Sequence, residues 1–147
     1  MTTPPLAISG AMVRDLHLCE RKVALDIHGD PSLRDPVSGF TRMLWREGLA
    51  HEDEVLASLG KGAVDLRRMS RTGREAGTAA TMEEGAVVIL GAVIQHDDLI
   101  GMPDLLRRTP NGYLASDVKS GAALEGPKQS YKKDYLVQVA HYSYILK

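Results

Sequence analysis

The chain has 147 residues, 44% of them hydrophobic and 25% charged, with a formal net charge of -1. That is enough for one domain with its own core and too little for two ordinary ones, and no apolar run approaches membrane-spanning length. Near-neutral charge gives no global attraction to a polyanion, so nucleic-acid contacts would have to come from local clusters, and the single cysteine excludes an intrachain disulfide.

The start Met1-Thr2-Thr3-Pro4-Pro5 lacks a secretory pattern, which makes a cytoplasmic location the default. An early helix is expected to follow, with Cys19 as a buried, inert thiol. Residues 26 to 39, with Pro31 and Pro36, read as a loop or lid. Residues 41 to 59 read as an amphipathic helix whose stripe of Leu44, Gly48, His51, Val55 and Leu59 turns His51 inward. Periodicity alone makes such a histidine a hydrogen-bonded core residue, and makes Glu47, Glu52 and Glu54 solvated helix charges. Arg67, Arg68, Arg71 and Arg74 then cluster, either as a solvated loop or as phosphate contacts. Residues 78 to 84 suggest a short helix closed by Gly85. Residues 86 to 90 and 92 to 95 are apolar and β-branched enough for strands.

The chemistry-bearing residues come next. Residues 99 to 108 and 112 to 119 read as two strands joined by Thr109-Pro110-Asn111-Gly112, a sequence suited to a tight turn, so an antiparallel hairpin is expected. Gly101 and Pro103 interrupt the first strand and suggest a bend that aims Asp104 inward. In the second, Asp117 and Lys119 share a face, because strand side chains alternate. Asp104 beside Asp117 makes paired carboxylates able to hold a hard cation through oxygen. The plainer reading is a salt-bridged pair of strand ends. Lys128, Lys132 and Lys133 gather before a last helix over residues 134 to 147. There Leu136, Val139, Ala140, Ser143 and Leu146 form a packing stripe, with Tyr135, Gln138, Tyr142 and Ile145 beside it. Periodicity alone makes Gln138 and Tyr142 boundary residues half covered by the sheet.

His51, Gly101 with Asp104, Asp117 with Lys119, and Gln138 with Tyr142 stand in the order helical histidine, G-x-x-D, (D/E)-x-K, Q-x-x-x-Y. In this the chain resembles the PD-(D/E)xK nucleases, specifically the RecB-like branch related to CRISPR-associated iron-sulfur exonucleases. The likeness runs from about residue 8 to the last. Each motif is weak alone, and their order is what makes them specific. Residues 81 to 89 also resemble a bacterial RecB-like group whose nuclease domain precedes an RNase H-like domain.

The resemblance implies an α/β fold with a restriction-endonuclease-like core, a mixed central sheet flanked by helices with the site at one end. It implies a metal-dependent nuclease acting on DNA single strands or duplex ends, in repair, recombination or CRISPR adaptation. Mg2+ or Mn2+ would be held by His51, Asp104, Asp117 and the Val118 carbonyl, polarising the scissile phosphate and lowering the pKa of a water. Lys119 would orient that water or offset transition-state charge, and Gln138 and Tyr142 would position substrate or lysine. Cys19 aligns with the first of the family's cluster ligands, but one thiolate cannot hold a cubane cluster, so an iron-sulfur cluster is not expected. The apolar ending Tyr144-Ile145-Leu146-Lys147 reads as a single nuclease core truncated after the Q-x-x-x-Y helix, an N-terminal fragment or a natural short form. A homodimer partner or a missing C-terminal domain would then cover the open sheet edge. The alternative function is a catalytically inactive nucleic-acid-binding or scaffolding module that retains the fold.

Overall fold

Serine hydroxyls start the helices at residues 10, 39 and 71. Ser9, Ser38 and Ser70 accept from the N–H groups of Met12, Thr41 and Gly73 at 3.2, 3.0 and 3.1 Å, satisfying amides that a helix start leaves without partners. A computed structural model describes residues 6–59 and 62–147. In chain order the elements are β1 (Ile8–Ser9), α1 (Gly10–Leu18), α2 (Glu20–His28), α3 (Gly39–Ser58), β2 (Val64–Asp65) and α4 (Arg71–Glu83). Then come β3 (Val88–Leu90), β4 (Ile94–His96), β5 (Leu99–Gly101), β6 (Leu105–Thr109), β7 (Gly112–Ser116), β8 (Leu124–Glu125), β9 (Ser130–Tyr131) and α5 (Lys133–Ile145). Among the described residues this is a mixed α/β arrangement, and no helix there is long and apolar enough to cross a membrane.

The early helix is broken at Cys19, whose backbone is extended and whose N–H closes α1 on the Asp15 carbonyl at 2.7 Å. Its side chain is exposed, contrary to the buried thiol expected from composition, because it sits at the outward bend between α1 and α2. Lys22 of α2 ties the two helices together through Asp15 of α1 at 2.6 Å, and is held in place by Asp26, one turn on in its own helix, at 2.8 Å. The helix expected over residues 78 to 84 starts earlier, since Ser70 caps it. Its interior hydroxyl matters: Thr78 Oγ1 donates to the Arg74 carbonyl at 2.7 Å and accepts from Val93 N–H at 2.9 Å.

The sheets are short. β2, β3, β6 and β7 form one mixed sheet in that order, β2 parallel to β3 and the others antiparallel; β1, β5 and β4 form another. The strand expected over residues 99 to 108 is thus split between two sheets. Buried Pro103, which has no N–H to give a ladder, lies in the break.

Alternation along the four-stranded sheet builds two cores. Ile89, Leu106 and Ala115 face Tyr142 of α5 and Met82 of α4, whereas Leu90 and Leu105 face Leu56 of α3, with Val118 beside them. Helices therefore cover both faces. α3 is the lightly held layer: of its 20 residues only Leu56 is fully buried, and Arg67 adds an ion pair from its Nη1 to Asp53 at 2.7 Å. Burying Leu56 contributes roughly 2 kcal/mol.

Candidate active site

The register of the hairpin sets the site. β6 pairs with β7 through Leu105↔Ser116, and one further step along both strands sets Asp104 opposite Asp117. The pairing is fixed by a hydrogen bond: Val118 N–H donates to Asp104 Oδ2 at 2.6 Å. The Asp104 carbonyl accepts from Gly91 N–H at 2.8 Å, which anchors the segment between the sheets. The Asp117 side chain is only 5% exposed, and its Oδ2 accepts from Lys119 Nζ at 2.6 Å. The two side chains of the Asp-x-Lys motif therefore do meet on one side, although the segment lies just past the end of β7.

Electrostatics marks the pair. Burial, reinforced by the charge of Asp117, pushes the Asp104 carboxyl up to about 6 against the opposing hydrogen bond from Val118. Glu52 on α3 is also held above the usual carboxylate range, first by burial and then by the charges of Asp53 and Asp117. Three acids thus feel one another at one end of the sheet.

His51 is not among them. It is exposed, and the inward face of α3 carries Glu52 instead. The stripe that sets the helix phase is Gly48, Glu52, Val55 and Leu56 rather than the one through Leu44 and Leu59, which are 51% and 42% exposed. Docking of Leu56 into the small core with Leu90 and Leu105 turns the helix by about one residue, and His51 goes outward with it. Val118 joins the site through its N–H, whereas the resemblance assigns its carbonyl. Among the described residues no group of three or more His, Cys, Asp or Glu stands close enough together to hold a metal ion.

α5 brings Gln138 and Tyr142 over the acids. Both are buried, and Gln138 Nε2 donates to the Tyr142 hydroxyl at 2.8 Å. They are not boundary residues; Leu136 and Ala140, expected to pack, point outward. Burial and the Asp117 charge raise the phenol well above its ordinary value, so Tyr142 stays protonated and a donor. Gln138 Oε1 is buried with no hydrogen-bond partner among the described residues, which costs about 1–3 kcal/mol unless a ligand or water donates to it.

Lys119 is steadied further by Tyr135, whose ring centroid lies 5.9 Å from Nζ, with Lys132 at 5.2 Å. Of the earlier basic cluster, Arg67 is bound to Asp65 and Asp53, and Arg74 donates from Nε to the Gly91 carbonyl at 2.5 Å. Those two arginines brace the fold. Sequence reasoning missed Glu52; its signal was its position one turn before the only leucine of α3 that the sheet buries.

The donor set suits a hard cation. Mg2+ keeps several waters and needs only one or two carboxylates from the protein, so Asp104 and Asp117 are the residues that would hold such an ion. Compared with known proteins, the chain matches no protein-family model, no curated protein and no solved structure.

Proposed function

We propose that the chain is a divalent-metal-dependent nuclease that hydrolyses phosphodiester bonds of DNA, on a restriction-endonuclease-like core. The observation that carries this reading is the juxtaposition of Asp104 with Asp117, with the Lys119 ammonium 2.6 Å from the latter. A Mg2+ or Mn2+ ion bound by the two acids supplies positive charge at the scissile phosphate and an acidified water.

The chain's own groups do the rest. Asp104, its carboxyl raised to about 6 in the metal-free protein, carries its charge above that pH and would then be one of the residues to hold the ion. Lys119, freed from its ion pair with Asp117, would donate to a phosphate oxygen and offset charge as the phosphorus becomes pentacovalent. Tyr142 keeps its proton and Gln138 keeps an acceptor in reserve, so the pair can orient a substrate group or a water. Glu52 adds negative potential on the α3 side, in the place that the resemblance gives to His51.

The alternative, a nucleic-acid-binding or scaffolding module without turnover, draws support from the closed Asp117–Lys119 ion pair, which engages both reactive groups with each other. End-labelled single- and double-stranded DNA incubated with Mg2+ or Mn2+ separates the two. The nuclease reading expects degradation that chelator, Asp104→Ala and Lys119→Ala each abolish. Degradation that persists in both variants, or none in the wild type, rejects it.

A further inference from the structure

Beside the acids a groove of about 490 Å³ runs between α1, α3 and the segment following β7. Trp45, Gly48, Leu49 and Glu52 line it from α3, spaced i, i+3, i+4 and i+7 so that they share one side, while Arg14 of α1 and Lys119 complete the wall. The volume is that of a small-ligand site. Glu52 stands at the acid end, and Trp45 lies roughly 10 Å along the helix from it. Trp45 is 58% and Leu49 63% exposed.

The wall is divided by chemistry. Indole and leucine offer a flat apolar surface; Arg14 and Lys119 offer cations. Arg14 spends Nε and Nη2 on Asp15, and Lys119 one bond on Asp117, so each has donors to spare among the described residues. A nucleotide has the matching division, a π-faced base and an anionic phosphate; a single strand presents the face of every base for stacking, whereas a duplex presents only those of its terminal pairs. At the centre of the groove Gly48 leaves room: among the described residues a β-carbon there would meet only Ser120 Oγ, at 3.8 Å.

We infer that this groove binds single-stranded DNA beside the cleavage point, one base stacked on Trp45 and its phosphate on Arg14. The choice of DNA rests on the proposed function; the stacking geometry does not. Duplex enters the acid site only where its end is unpaired.

Trp45 is the only tryptophan in the sequence, so its emission reports on the groove directly. An oligo(dT) titrated into the full chain with Ca2+ in place of Mg2+ is expected to quench that emission saturably, while a blunt duplex does not. By anisotropy, Trp45→Ala weakens oligo(dT) binding roughly tenfold and Trp45→Phe restores most of it. Gly48→Leu fills the groove and also removes a glycine from a helix interior, so it raises the thermal midpoint while losing affinity. Oligo(dT) that fails to bind, or binds with Trp45 emission unchanged, overturns the inference, as does Gly48→Leu with wild-type affinity. Emission that shifts with protein concentration but not with DNA also overturns it, because a second copy then covers α3. Cleavage is scored separately: quenching without cleavage leaves the groove and removes the nuclease, and cleavage without quenching does the reverse.

Discussion

The ring of Tyr142 lies so close to Gly101 that a β-carbon on residue 101 would stand 2.9 Å from Cδ1, and 2.7 Å from Ile94 Cγ1. The glycine of the G-x-x-D segment thus makes room for the tyrosine of the last helix, which in turn sits over Asp104 and Asp117. Gly101→Ala should displace the ring and destabilise the fold by about 1–3 kcal/mol, as overpacking does. Urea denaturation checks the stability. A variant as stable as wild type would mean that α5 shifts without cost, and the close approach would then have no structural role.

Asp104 gives a pH signature in the metal-free protein. Its carboxyl is raised from 3.8 to about 6 on folding, so the folded state takes up the proton first. The stability it contributes is fully present below 3.8 and is lost as pH rises through about 6. Asp104→Asn keeps an oxygen to accept from Val118 and removes the buried charge. At pH 8 it should therefore be more stable than wild type, on the order of 1–2 kcal/mol after allowance for partial exposure, with the advantage shrinking toward pH 4. Denaturation midpoints for both proteins at several pH values test this; a constant difference across that range contradicts the buried-acid account.

Glu52 and His51 make opposite predictions about the same helix. Because Glu52 faces the acids and His51 faces solvent, Glu52→Gln should lower Mn2+ affinity several-fold, while His51→Gln changes it little. Calorimetry on the two single variants decides it. Loss of affinity in His51→Gln alone would return the ligand role to the histidine and require α3 to rotate.

The sequence made parts of this legible, and physics explains which. The β6–β7 hairpin follows from its turn residues, and once the hairpin is drawn, Asp104 opposite Asp117 is a matter of register. Helix phase was harder. In α3 many apolar residues are exposed, so counting hydrophobics chose the stripe through Leu44 and Leu59, when one docked side chain, Leu56, fixes the rotation. In α5 the reverse error arises, since Gln138 and Tyr142 are buried by bonding to each other, which a hydrophobicity pattern does not register. The break between β5 and β6 was foreshadowed by Pro103, though a bend was expected rather than a change of sheet. Arg74 and Thr78 are bound to the Gly91–Val93 segment, and nothing local in the sequence announces contacts of that range.

Titration of Mn2+ into the chelator-treated protein at pH 7.5, followed by calorimetry, tests, without reference to any substrate, that Asp104 and Asp117 together hold a divalent cation. Saturable binding is expected in the wild type, weaker binding at pH 5.5 where Asp104 is mostly protonated, and none in Asp117→Asn. Heat in Asp117→Asn indistinguishable from wild type would contradict it.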